Sequence, residues 1–229
     1  MPITNYQKAD VKMELADILL FEEKFNQALI YYSQIEEDLK NDIVGHEASL
    51  KAAKTSYFKT DFEWASKQFK ELKSASTQLI ANDALEYFLL ITDNTVADST
   101  QTALKKFARA DFLLYQNKRQ EALSTFLDVL KLEKADEIKA ITLLRLGKIY
   151  EKNGDFVTAL TQYQEIIDKH KDEIYIDEAL YFSAEIYNSQ GNIEKAKSLY
   201  EKVIMEHEDS IYYVEARKKY RQLRGDTAS

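Results

Sequence analysis

The apolar positions of the chain fall into a frame that repeats. LLRLGKIYEKNGDFVTALTQYQEII (Leu143 to Ile167) lies without gaps over LYFSAEIYNSQGNIEKAKSLYEKVI (Leu180 to Ile204), and Tyr150, Gly154, Ala159 and Tyr163 match Tyr187, Gly191, Ala196 and Tyr200 at an offset of 37 residues. The frame extends backwards through alanines at Ala28, Ala65, Ala122, Ala159 and Ala196, spaced by 37, 57, 37 and 37 residues. Four residues after each alanine stands an aromatic (Tyr32, Phe69, Phe126, Tyr163, Tyr200) and seven after it an aliphatic (Ile35, Leu72, Val129, Ile166, Val203). Twelve residues before each stands a small residue: Ala16, Ala53, Ala110, Gly147 or Ala184. Steps of four and seven keep side chains on one helical face, so each unit is predicted to be two antiparallel helices. The small residue and the alanine let the axes approach, and the aromatic fills the gap beside them.

Between the two helices of a unit, Asn117, Gly154 and Gly191 share the position where a left-handed residue lets the chain reverse. Glu23 and Thr60 stand there in the first two units, and their turns are predicted to be less sharply specified. The 57-residue interval is one period plus 20 residues, around Asp83 to Thr102, and reads as an apolar helix (DALEYFLLIT) followed by a loop (DNTVADSTQ). An unpaired helix there predicts a change of direction, dividing the array into residues 1–92 and 93–229. At the far end, residues from about Ile211 to Leu223 put Tyr212, Ala216, Tyr220 and Leu223 on one face and basic residues on the other, as a capping helix requires. The first helix differs: Val11, Met13, Leu15, Ile18, Leu19, Leu20 and Phe21 leave it few polar positions.

Composition narrows the picture. Five glycines and one proline in 229 residues are too few turn formers for a sandwich, a barrel or a doubly wound sheet. The chain has no cysteine, which excludes disulfides and thiolate metal sites. A net charge of −8 argues against nucleic acid as a partner, and the basic cluster Arg217, Lys218, Lys219, Arg221 and Arg224 reads as the solvated face of the last helix. No apolar run approaches the roughly 20 residues of a membrane span, and MPITNYQKAD lacks the form of a signal peptide.

Chemistry is scarce. Phosphate loops, dinucleotide fingerprints and G-x-S-x-G are absent. Ser56 to Lys59 fits S-x-x-K by count only, Asp93, Asn94 and Asp98 lack the ligand spacing of a calcium loop, and adjacent pairs such as Glu36 with Glu37 cannot face one another on a helix. Of the three histidines, His46, His170 and His207, the last two occupy equivalent positions at the ends of second helices and read as structural. No cofactor, no metal and no catalysis are expected.

The small residue, aromatic, turn, alanine, aromatic and aliphatic of each unit resemble the tetratricopeptide repeat family. The likeness is strongest in the last two units, which carry small-x-x-Y-x-x-x-G-x-x-x-x-A-x-x-x-Y; earlier, Ser56 and Leu113 replace the first aromatic and Arg109 an apolar residue. The spacing of 37 exceeds the family's period of about 34, and its proline after the second helix is replaced by Lys40, Thr77, Lys134, Lys171 and Glu208. The resemblance implies an all-α, right-handed superhelix of about five helix pairs, with one irregular insert and a C-terminal capping helix. The tail EKVIMEHEDSIYYVEARKKYRQLRG is also similar to envelope and periplasmic repeat proteins of Gram-negative bacteria, which implies an envelope setting.

In that family the concave surface is lined by first-helix residues. By repeat position these are Lys51, Lys54 and Tyr57, then Asp111, Leu114 and Tyr115, then Arg145, Lys148 and Glu151, then Tyr181, Glu185 and Asn188. Aromatic and Arg groups suit interface anchors, and the cations suit a peptide carboxylate. The resemblance therefore implies a scaffold that binds a protein or peptide. The alternative is a structural or self-assembling segment of a larger envelope protein, joined to a longer parent chain or a second copy through the apolar first helix.

Overall fold

The computed structural model describes residues 4–75, 77–97, 100–132, 136–170 and 174–226, which form twelve helices and no strand. In chain order they are α1 (Asn5–Phe21), α2 (Phe25–Asp38), α3 (Ile43–Phe58), α4 (Phe62–Ala75), α5 (Gln78–Ala97), α6 (Thr102–Tyr115), α7 (Arg119–Val129), α8 (Asp136–Lys152), α9 (Phe156–Lys169), α10 (Ile176–Ser189), α11 (Ile193–Glu206) and α12 (Tyr213–Arg224). They group into two compact units, residues 1–137 and 138–229.

Every position of the repeated frame is inside. The five alanines and the five aromatics after them are 0% exposed, and Ala16, Ala53, Ala110 and Ala184 are equally closed. Gly147 marks a close approach: a Cβ built on it would lie 2.2 Å from Cε1 of Tyr163, so the ring of α9 rests where any side chain of α8 would stand.

The five turns are built alike. Glu23, Thr60, Asn117, Gly154 and Gly191 all adopt positive φ, at 62, 67, 59, 79 and 74°. In each, the next amide donates to a carbonyl five residues back: Lys24 to Leu19, Asp61 to Ser56, Lys118 to Leu113, Asp155 to Tyr150 and Asn192 to Tyr187, at 2.8 to 2.9 Å. The turn residue's own amide donates to the carbonyl three residues back, at 2.9 to 3.0 Å, and the two bonds satisfy the last carbonyls of the first helix. The expectation that the Glu23 and Thr60 turns are looser is therefore corrected: the hydrogen bonds and packing hold a β-branched and an acidic side chain in a conformation both disfavour. The residues beyond a 34-residue period fall in links such as 207–212 between α11 and α12.

In the first unit, α1 to α5 pack each on the next. The apolar helix predicted near residue 83 is longer than expected, and residue 92 lies within it. Asp93 and Asn94, assigned to a loop by sequence, belong to α5, and Asn94 is buried with its amide donating to the Leu90 carbonyl at 2.8 Å. Asp98 lies outside the described residues. After α5 the chain turns back, and α6 lies against α1 and α3. Phe112 inserts among Ala16, Leu20, Ala28 and Ala52, with ring centroids 5.2 Å from Phe25 and 5.1 Å from Phe58. Gln116 donates to the Phe21 carbonyl at 2.7 Å, and Arg109 pairs with Glu23 at 3.0 Å.

In the second unit, α10 packs on α9 and α11, and α12 covers α11. Ala216 is buried, and Tyr212, Tyr220 and Leu223 pack on a core of Leu180, Tyr181, Ala184, Ala196, Tyr200 and Val203. The predicted capping face is the face that packs.

Candidate functional site

The residues proposed by repeat position lie on first helices, and the structure shows what each already touches. In the first unit Lys51 pairs with Asp17 at 2.7 Å, and Tyr32 donates to the same carboxylate at 2.5 Å. Lys54 pairs with Asp83 of α5 at 2.8 Å and lies 5.2 Å from the centroid of Tyr87. Tyr57 is wholly buried and donates to Asp111, itself 7% exposed, at 3.3 Å. Tyr115, 37% exposed, donates to the Asp17 carbonyl, and Leu114 is half-buried. α6 thus lies on the inner faces of α1 and α3, its Asp111 accepting from Tyr57 and its Tyr115 donating to the residue that pairs with Lys51.

In the second unit Tyr163 donates to Glu151 at 3.1 Å, Tyr200 donates to Glu185, and Lys219 of α12 pairs with Glu185 at 3.2 Å. Lys148 pairs with Glu178 and lies 4.9 Å from the Phe182 centroid, while Tyr212 donates to Glu178 at 2.8 Å. Tyr181, 9% exposed, stacks on Tyr212 at 4.6 Å. Arg145 and Asn188 are half-buried on the same two helices.

A rule of charge underlies these contacts. Eleven residues before the template alanines stand Asp17, Lys54, Asp111, Lys148 and Glu185. Where this residue is acidic and a tyrosine follows the alanine, the phenol donates to it, as in Tyr32 with Asp17 and Tyr200 with Glu185. Where it is Lys148, an ammonium with no acceptor, Tyr163 donates to Glu151 one turn further on. Burial first, and the neighbouring carboxylate second, push these phenols above their ordinary range; Tyr115, beside Asp17, is pushed up to about 12.

Four contributors escaped the sequence reading: Asp17, Glu178, Tyr212 and Lys219. Asp17 stands at the template position of Lys54 and Glu185, so the repeat frame itself could have found it; the other three lie outside the positions carried over. A second feature left no motif. An outer cleft of about 410 Å³ runs between α2 and α4 over the start of α3, lined by Glu36, Lys40, His46, Ser49 and Trp64 among others. His170 and His207 cap α9 and α11 through their amides, as equivalent positions should. Among the described residues no cluster of three potential ligands is suited to a metal ion, and no helix is long and apolar enough to cross a membrane.

Stacked antiparallel helix pairs, each closed by small residues and an aromatic, define a helical repeat protein, the class whose fold presents surface for other proteins. The chain belongs to the tetratricopeptide repeat-like family, whose profile matches residues 55–223. Among solved structures it is similar to YrrB, described as a TPR protein with an unusual peptide-binding site (16% identity, 90% of each chain covered, TM-score 0.45). It is also similar to a tetratricopeptide repeat protein from Parabacteroides merdae (11%, 96% of this chain and 75% of that one, 0.46) and to MamA (14%, 96% of each, 0.42). No curated protein matches the sequence.

Proposed function

We propose that the chain is a non-catalytic interaction scaffold that docks an extended or terminal peptide of a partner protein on the first-helix faces of its second unit, α8 and α10, bordered by α12. The observation that carries this reading is the contrast between units. In the first, the faces of α1 and α3 already hold α6, with Phe112 as anchor. In the second, Arg145, Lys148, Glu151, Glu185 and Asn188 are half-buried, none of them closed over as Tyr57 and Asp111 are where α3 meets α6. The first unit also illustrates the kind of occupant such a face takes: an aromatic anchor between small residues, with donors at the rim.

The charges there are balanced, Arg145, Lys148 and Lys219 against Glu151, Glu178 and Glu185. A peptide carboxylate has to compete with Glu178 for Lys148, so affinity rests on apolar anchoring and hydrogen bonds more than on net charge. The test is a cross-linked pull-down from the source extract with wild type, an Arg145→Ala, Lys148→Ala, Asn188→Ala variant, and a Val157→Asp control on the exposed outer side of α9. A protein held by wild type and the control but lost by the triple variant supports the site. Capture undiminished by the triple variant, with unchanged circular dichroism, overturns it. The alternative reading, a structural or self-assembling segment of a larger protein, draws its support from α1.

A further inference from the structure

Among the described residues, α1 carries five exposed large apolar side chains, Tyr6, Val11, Leu15, Ile18 and Phe21, more than any other helix. Val11 is 70% exposed, Leu15 38% and Ile18 55%, while Ala9, Ala16 and Leu20 of the same helix are buried against α2. The three stand at steps of four and three, and the same rhythm reaches exposed Lys8 before them and exposed Glu22 after them. Residues 8, 11, 15, 18 and 22 therefore form one stripe of two heptads, the pattern of a helix-pairing seam, on the side of α1 turned away from its own core.

The charge order along this stripe selects its occupant. It reads positive, apolar, apolar, apolar, negative, so it is complementary to itself when reversed. We infer that α1 pairs antiparallel with α1 of a second copy of this chain about a two-fold axis near Leu15. In that arrangement Leu15 meets Leu15 of the second copy, Val11 lies beside its Ile18, and Lys8 lies beside its Glu22. A parallel pairing would set Lys8 against Lys8 and Glu22 against Glu22. A two-fold contact also closes on itself and gives a dimer, not a fibre. Glu22 currently holds Lys24 at 2.6 Å, an exposed pair two residues apart that leaves the carboxylate open to a second cation. Among the neighbouring charges, Lys12 pairs with Asp38 and Asp17 with Lys51, while exposed Glu14 flanks Leu15. The inner faces of the second unit are not involved, so the dimer and the proposed peptide site stand or fall separately.

Sedimentation equilibrium of the full chain reads the outcome directly. Wild type should approach twice the 26.6 kDa of one chain as concentration rises. Leu15→Glu, at a part-exposed position, should raise the dissociation constant by roughly tenfold or more with unchanged circular dichroism. Lys8→Glu alone and Glu22→Lys alone should each weaken the dimer by about threefold to tenfold, because each disrupts two symmetry-related pairs, and the double variant should restore it. The chain has no cysteine, so Leu15→Cys adds a single thiol, and oxidation should join two copies through it. A monomeric mass across the range without cross-linking overturns the pairing, whether α1 is then left open or covered by a different chain. A dimer that ignores Leu15→Glu, or single swaps that the double variant fails to rescue, overturns it equally.

Discussion

Thr60 holds a left-handed conformation that a β-branched residue normally avoids, and it does so because the Thr60 amide to Tyr57 and the Asp61 amide to Ser56, both 2.9 Å, fix the turn. Asn117, Gly154 and Gly191 reach the same geometry with residues that accept it more readily. Thr60→Gly is therefore expected to raise stability by about 1 kcal/mol, the relief of the left-handed penalty outweighing the added freedom of the unfolded chain. Urea denaturation checks this, and a loss of stability would mean that the threonine side chain makes a contribution the turn geometry does not reveal. The phenols of Tyr32, Tyr115, Tyr163 and Tyr200 supply a pH dependence. Their values in the fold lie above the roughly 10 of an unfolded tyrosine, so the folded chain holds these protons more tightly. The stability this contributes is complete below about pH 10 and is lost as pH rises through the folded values. In an alkaline titration followed at the phenolate band and by circular dichroism, the buried Tyr32, Tyr163 and Tyr200 should ionise with loss of helix, after the exposed tyrosines. Ionisation of all fifteen tyrosines with the helices intact would contradict the burial and carboxylate pairing assigned to them.

Helix pairing was legible in the sequence because its geometry is local: residues 12 before, four after and seven after each alanine lie within one pair, and all five copies are buried as the frame requires. The capping helix was legible for the same reason, its apolar face being set by helical periodicity alone. The return of α6 onto α1 and α3 was not. It joins Phe112 to Phe25 and Asp111 to Tyr57, 87 and 54 residues apart, and depends on α5 running as far as Ala97 before the chain turns. A composition of Asp, Asn, Thr and Ser in that stretch favours a loop by propensity, but packing of α5 on α4 and the buried Asn94 favour helix. Placement of α6 also explains why Tyr57 and Asp111 are turned into the interior. Phe112→Ala should consequently act as a core substitution and cost about 3 to 5 kcal/mol, although its helix is amphipathic and sits where a groove was expected. Hydrogen exchange would show the loss concentrated in α1, α3 and α6; a cost below about 1 kcal/mol would mean that α6 is only loosely held.

At the scale of the molecule, the division of contacts at residues 137 and 138 carries an energetic consequence. In helical repeats each element is stabilised by its nearest neighbours, so a stretch with its own core and a capped end retains most of its stability when separated. The second unit meets both conditions. Leu180, Tyr181, Ala184, Ala196, Tyr200, Val203 and Ala216 form a core that draws on α10, α11 and α12, and Gly147 of α8 receives the ring of Tyr163 from α9. A fragment of residues 136–229, which begins at the start of α8, should therefore be helical and unfold cooperatively in urea. Its m-value should be smaller than that of the full chain, in keeping with the smaller surface it exposes. Because the proposed peptide site lies within these helices, the same fragment should capture whatever partner the full chain captures. A helical fragment that fails to do so would move the site off the second unit. A fragment without a cooperative transition would show that the second unit takes stability from contacts outside its own core.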